Sequence, residues 1–144
     1  MVFNRNKKFA KEKKAIESLI RKLPKLVRKN NLSLEVYLIS DAEMKKLNRK
    51  FKGKNRSTNV LSFEAEKGSL RPDIGNGRRF LGEIFLAPDY IRAREENISF
   101  LFIHGFLHLL GYTHKRKNDR IRMEKLEEEL CLKSLPGWIS ARPR

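Results

Sequence analysis

Residues 99–114 read SFLFIHGFLHLLGYTH, and this stretch decides the architecture. Residues 99–110 are apolar nearly all round, the pattern of a helix enclosed on every side rather than one lying on a surface. Gly111 follows as the residue free to take the left-handed turn that ends such a helix. A buried central helix needs layers around it, and the flanking sequence provides them. Ile16, Leu19, Ile20, Leu23, Leu26 and Val27 recur at helical spacing. They predict an amphipathic helix over about residues 8–29, with a Lys/Arg outer face and a kink or restart at Pro24. Leu34, Val36 and Leu38 alternate with Ser33, Glu35 and Tyr37, as in a half-buried strand over residues 33–40. Ser40 with Glu43 three positions on is a capping-box signature, opening a short helix through Met44 and Leu47. A basic loop, residues 50–56, leads to strands expected at residues 58–63 and 80–86. The polar, Gly-containing stretch 65–79 between them reads as a hairpin connection or flexible loop. Pro88-Asp89 opens a further helix, and residues 118–132 form the last, with Met123, Leu126 and Leu130 on one face. The tail from about residue 136 to residue 144 is expected to be loosely held, anchored by Trp138. Interspersed helices and about four strands predict an α+β or α/β fold with a small mixed sheet, as one domain over residues 1–144.

Composition narrows the function. The 144 residues hold 33 Lys+Arg against 17 Asp+Glu, a net charge of +16. Residues 1–56 account for 18 of the bases and five of the acids, a net of +13, and leave +3 for the remainder. Such a field attracts polyanions, of which nucleic acid is the commonest, whereas a thermal-adaptation signature would show balanced charge. One cysteine, Cys131, excludes a disulfide framework and any Cys-based zinc ribbon, and fits a reducing compartment. No run approaches the ~20 apolar residues that span a bilayer. The expectation is a cytoplasmic protein with no membrane partner.

The three histidines, His104, His108 and His114, fall within eleven residues. Four residues apart on the central helix, His104 and His108 leave the same face one turn apart. The turn at Gly111 can bring His114 back to the same point. Two unpartnered imidazoles on an apolar helix would be costly to bury, so a shared cation is the better reading than core packing. Three neutral imidazoles are the ligand set of a catalytic zinc site that keeps one position open. The spacing matches that of the metzincin proteases, H-E-x-x-H-x-x-G-x-x-H, except that Gly105 stands where those enzymes have their general base. Glu83 and Glu124 are acids that could replace it, without support from spacing. A peptidase or small-molecule hydrolase is therefore the disfavoured reading.

Residues 104–114, HGFLHLLGYTH, resemble the H-G-x-L-H-L-x-G-Y-D-H signature of the YbeY family of metal-dependent endoribonucleases and rRNA maturation factors. Residues 57–63, STNVLSF, resemble the family's x-T-[DN]-V-L-S-F-P motif. Leu81-Gly82-Glu83-Ile84 is similar to its L-G-D-I strand, and Met123-Glu124 falls where its last helix begins M-E. The resemblance runs from about residue 34 to residue 130. It implies an α+β fold with a mixed four-stranded sheet and three histidines on one divalent metal, usually zinc. It further implies cleavage of single-stranded RNA in small-subunit (16S-type) rRNA 3′-end maturation and ribosome quality control. The small ribosomal subunit would be the partner, with a ribosomal protein or GTPase as a further candidate. Four positions depart from the family. Lys52 stands for the cleft arginine, Thr113 for the aspartate before the third histidine, Glu83 for aspartate and Glu64 for proline.

These readings assign roles. His104, His108 and His114 would hold one divalent ion, Zn²⁺ first among the candidates, which acidifies water and polarises a phosphoryl oxygen. Lys52 would neutralise charge growing on the phosphate, without the bidentate fork of arginine. Lys50, Lys54 and Arg56 would bind flanking phosphates without reading sequence. Phe51 and Phe63 could stack bases, although core packing suits Phe63 better. The competing class is a ribosome-assembly factor that binds rRNA without cutting it, its metal only stapling a helix.

Overall fold

In the computed structural model of the chain, the structure describes residues 1–29, 31–66 and 78–139. Among the described residues four strands form one mixed sheet in the order β1-β2-β4-β3, where β1 is Val2–Asn4, β2 Leu32–Leu38, β3 Val60–Glu64 and β4 Arg79–Leu86. β1 and β4 each pair with β2 in parallel, and β3 pairs antiparallel with β4. Among the described residues five α-helices accompany it, α1 Ala10–Leu26, α2 Asp41–Lys52, α3 Pro88–Ala93, α4 Ile98–Leu109 and α5 Lys117–Ser134, with a 3-10 turn at Lys7–Phe9 ahead of α1. The architecture is α+β, with three parallel-paired strands and one antiparallel edge. The hairpin connection expected at 65–79 lies, over residues 67–77, outside the described residues, as does the tail beyond Ile139.

The central helix is where its composition demanded. Seven of the twelve α4 residues are buried, among them Phe102, Ile103, Phe106 and Leu107. They share a core with Ile16, Leu19 and Leu23 of α1, Val36 and Leu38 of β2, Ile84 and Leu86 of β4, and Met123 and Leu130 of α5. Asn97 caps the helix start by accepting the Phe100 N–H at 3.1 Å. Gly111, at φ 102°, ends it as expected: its N–H donates to His108 and the Tyr112 N–H to Leu107.

Two expectations change, and the fourth expected strand is located. α1 does not restart at Pro24; the helix continues to Leu26, because the proline sits in the last turn. Arg28 then takes a left-handed conformation (φ 56°), and the Lys29 N–H closes the end on the Pro24 carbonyl. The Ser40/Glu43 capping box is present, but α2 runs past Leu47 to Lys52, so Lys50, Phe51 and Lys52 are helical and the basic loop starts at Gly53. Arg49, Lys50 and Lys52 crowd its last turn, where cations suit the negative end of the helix dipole. The strand unseen in the sequence is β1, three residues too short for any alternation to register.

The second face of the sheet is covered as well. Phe3 stacks on Tyr37 at 4.8 Å, Tyr37 on Phe85 at 4.7 Å, and Phe85 meets Phe63 edge-on at 5.7 Å. The Tyr37 hydroxyl donates to Glu35 at 2.6 Å, which satisfies a carboxylate under this aromatic row. Met44 of α2 packs beside Leu61 and Ala87 at one end of the row. Cys131 is buried in the main core, and that burial pushes its thiol up to about 12, so it is protonated and inert at neutral pH.

Candidate metal centre

Local geometry brings the histidines together. His104 and His108 project from one face of α4, and the turn through Gly111 returns His114 to them. The Nε2 atoms of His104 and His108 lie 3.1 Å apart, and those of His104 and His114 3.3 Å apart. One ligand atom from each ring lies within 4.8 Å of the others. Four-coordinate zinc at its usual Zn–N distance separates two nitrogens by about 3.3 Å, so the spacing fits a common ion.

The hydrogen bonds on the far side of the rings strengthen this fit. His108 Nδ1 donates to the Tyr112 carbonyl at 3.0 Å. His104 Nδ1 donates to a Glu127 carboxylate oxygen at 2.7 Å, and the Glu127 side chain is only 1% exposed. A carbonyl and a carboxylate can only accept, so in the neutral rings both protons sit on Nδ1 and both Nε2 lone pairs are bare. Two bare lone pairs 3.1 Å apart repel one another, and a cation between them turns that repulsion into coordination. Burial, and then the neighbouring His104 and His114, lower the pKa of His108; the Tyr112 carbonyl and Glu64 act in the opposite direction. The net shift favours the neutral imidazole of His108, the form that binds metal.

Glu127 is the residue that sequence reasoning missed. Glu83 and Glu124 are the acids that stand out in the sequence, and Thr113 stands where the family has an aspartate before the third histidine. Glu83 follows Gly82 and precedes Ile84, whose side chain lies beneath Gly105, so alternation turns Glu83 to the opposite face. The supporting carboxylate comes instead from α5. Glu127 sits one turn beyond Met123 and one turn before Leu130–Cys131, on the buried stripe of that helix. An acid inside an apolar stripe was the available signal.

Gly105 explains why a protease base is absent. A Cβ at this position would stand 2.9 Å from Ser62 Oγ and 3.3 Å from Ile84 Cδ1. The side of α4 between the two histidines is therefore pressed against β3 and β4, and no carboxylate fits there. Ser62 faces α4, so Glu64, two residues on, shares that side of the sheet. Phe63 takes the other side, where it packs against Phe51 at 5.1 Å. The pair expected to stack bases is therefore turned away from the histidine helix.

The basic residues lie on two elements. Lys50 and Lys52 are exposed in the last turn of α2, and the Lys50 ammonium sits over the Phe51 ring at 5.2 Å. Lys54 and Arg56 are exposed in the loop that leads into β3. The buried Asn48 amide donates to the Arg56 carbonyl at 2.8 Å and pins that loop. The loop enters β3 where the Asn59 amide donates to Glu96 at 3.3 Å, just ahead of α4. Asn59, three residues past Arg56, thus ties the start of β3 to Glu96, two residues ahead of the histidine helix.

A protein from Thermotoga maritima with a known solution structure covers 99% of this chain and 98% of its own, with a TM-score of 0.57 and 27% identity. The chain is 34% identical over 137 residues to the endoribonuclease YbeY of Buchnera aphidicola subsp. Schizaphis graminum, spanning 89% of this chain and 82% of that protein. It is 43% identical over 106 residues to the endoribonuclease YbeY of Chelativorans sp., spanning 68% of this chain and 63% of that one. The family model described as Endoribonuclease YbeY matches residues 1–135, a span holding all three histidines, Gly105 and Glu127. With the fold, the histidine cluster and both motifs in agreement, the chain belongs to the endoribonuclease YbeY family.

Proposed function

We propose that this chain is a metal-dependent endoribonuclease that cuts single-stranded RNA, acting in the cytoplasm on small-subunit rRNA near its 3′ end and in ribosome quality control. The observation that carries the reading is the convergence of three imidazole nitrogens within 4.8 Å, with His104 and His108 held by bonds at Nδ1. Zn²⁺ suits this all-nitrogen set best, and when bound it would polarise a phosphoryl oxygen and acidify water.

The chain's own groups would supply the rest. Glu127 fixes the His104 ring and raises its basicity. Lys52, at the family's arginine position, places a cation at the end of α2 to offset charge on the phosphate under attack. Lys50, Lys54 and Arg56 hold flanking phosphates, and the Asn48 bond keeps their loop in place for that task. Partners in delivery would be the small ribosomal subunit and a ribosomal protein or GTPase. The close contact at Gly105 counts against peptide hydrolysis.

The test is incubation of wild type and His104→Ala with ribosomal RNA and with casein, each with and without chelator. RNA cleavage that needs both the metal and His104 is expected, with slower cleavage in Lys52→Ala. RNA binding without cleavage would select the assembly-factor reading, and chelator-sensitive casein cleavage the peptidase reading.

A further inference from the structure

The charge beside the histidines is not what the near-balance of residues 57–144 implies. Directly after His114 come Lys115, Arg116, Lys117, Arg120 and Arg122 with one acid, Asp119; the compensating acids, Glu124, Glu127, Glu128 and Glu129, follow on α5. The five bases are exposed, and among the described residues no ion pair engages them. A pocket of about 290 Å³ opens into this patch. Its polar walls include Lys29, just past the end of α1, and Asp119 and Arg122 from α5, and its floor is the turn from Leu110 to Thr113 between the second and third histidines.

We infer that this pocket is a ribonucleotide subsite, in which Lys29 and Arg122 hold a backbone phosphate and Asp119 accepts the 2′-hydroxyl of the attached ribose. The inference rests on the RNA substrate proposed above and deepens it. Two cations from different elements facing one small cavity match a phosphate. One carboxylate among them would weaken a pure phosphate site, but it suits a hydroxyl donor, and the 2′-hydroxyl is what separates RNA from DNA. Position supports the same occupant. The Lys54–Arg56 loop leads through Asn59, bonded to Glu96, towards the N-terminal end of α4, whereas this pocket adjoins the turn at its C-terminal end. α4 itself is about 18 Å long, so a single strand held towards both of its ends would run along the histidine face. The left-handed Arg28, with its Lys29 N–H bonded to Pro24, fixes where Lys29 leaves α1.

The metal-loaded full chain tests this by steady-state cleavage of a short single-stranded RNA over a range of salt, with a DNA strand of the same sequence as competitive inhibitor. Lys29→Ala/Arg122→Ala is expected to raise KM severalfold and to flatten the dependence of log KM on log salt by about 0.7 for the lost phosphate contact. Asp119→Ala is expected to raise KM for RNA while leaving the DNA inhibition constant unchanged, so that discrimination between the two strands shrinks. Thermal melts confirm that each variant is folded. An unchanged KM and salt slope in the double variant overturns the phosphate contact, as does a fall in kcat alone. Equal shifts for RNA and DNA in Asp119→Ala, or no shift, overturn the ribose contact. A wild type that does not cut RNA would instead sink the functional reading itself.

Discussion

Replacing Glu127 with glutamine separates metal affinity from fold stability and drives them in opposite directions. The wild-type contact is a 2.7 Å charge-assisted hydrogen bond to His104 Nδ1, from a side chain only 1% exposed. Little solvent or salt reaches it, so the carboxylate acts on the imidazole nearly unscreened. Glutamine keeps an acceptor oxygen but loses the charge, so the ring stays oriented while its Nε2 becomes a weaker base. Loss of such an outer partner typically costs 10–100-fold in metal affinity, or about 1.4–2.7 kcal/mol. Since orientation survives in Glu127→Gln, about tenfold is expected here, with the upper end reached in Glu127→Ala. The metal-free protein should respond differently. A buried neutral amide costs less desolvation than a buried carboxylate. Chelator competition for Zn²⁺ measures the first effect, and thermal melts of the metal-free proteins the second. The expected pair is a weaker metal complex and an unchanged or higher melting temperature without metal. An affinity within about twofold of wild type would refute the argument that Glu127 tunes His104. Lower metal-free stability with unchanged affinity would make it a packing residue.

Two further outcomes follow from the same site. Gly105→Ala should lose about 1–2 kcal/mol in urea unfolding, because the 2.9 Å approach to Ser62 Oγ outweighs the ~1 kcal/mol gain in helix propensity; Ser62→Gly in the same chain should recover part of it, and a stabilised single variant would show that α4 can lift from β3. Because the pKa of His108 is held below its ordinary 6.5, the unfolded chain takes up that proton first on acidification; the metal-free protein should therefore lose stability as pH falls below about 6.5, less so in His108→Ala, and equal urea midpoints at pH 7.5 and 5.5 would contradict it.

Much of the centre was legible because it is local. The i, i+4 spacing of His104 and His108 sets their common face whatever surrounds the helix, and Gly111 marks the turn to His114 without reference to any other element. The Ser40/Glu43 box was equally readable, since its two bonds close within four residues. The extent of α2 was not, because Gly53, rather than the last apolar residue, decides where that helix stops. β1 escaped because three residues cannot show a period; it exists only because β2 offers an open edge, with Val2 placed opposite Val36.

The buried helix with its three-imidazole cluster, and the excess of positive charge, are written in the amino-acid sequence. Both are properties of composition and short-range spacing, which survive in any fold that keeps the helix intact. What those groups face is a matter of packing between elements. That packing set Glu127 behind His104 across 23 residues of chain, pressed Gly105 onto Ser62 and Ile84, and turned Phe51 and Phe63 to the far side of the sheet. It also gathered Lys29 and Arg122, from opposite ends of the sequence, around one pocket beside the turn to His114. Contacts between elements depend on how helices pack against a sheet, and that packing is a sum over the whole core that no local spacing encodes.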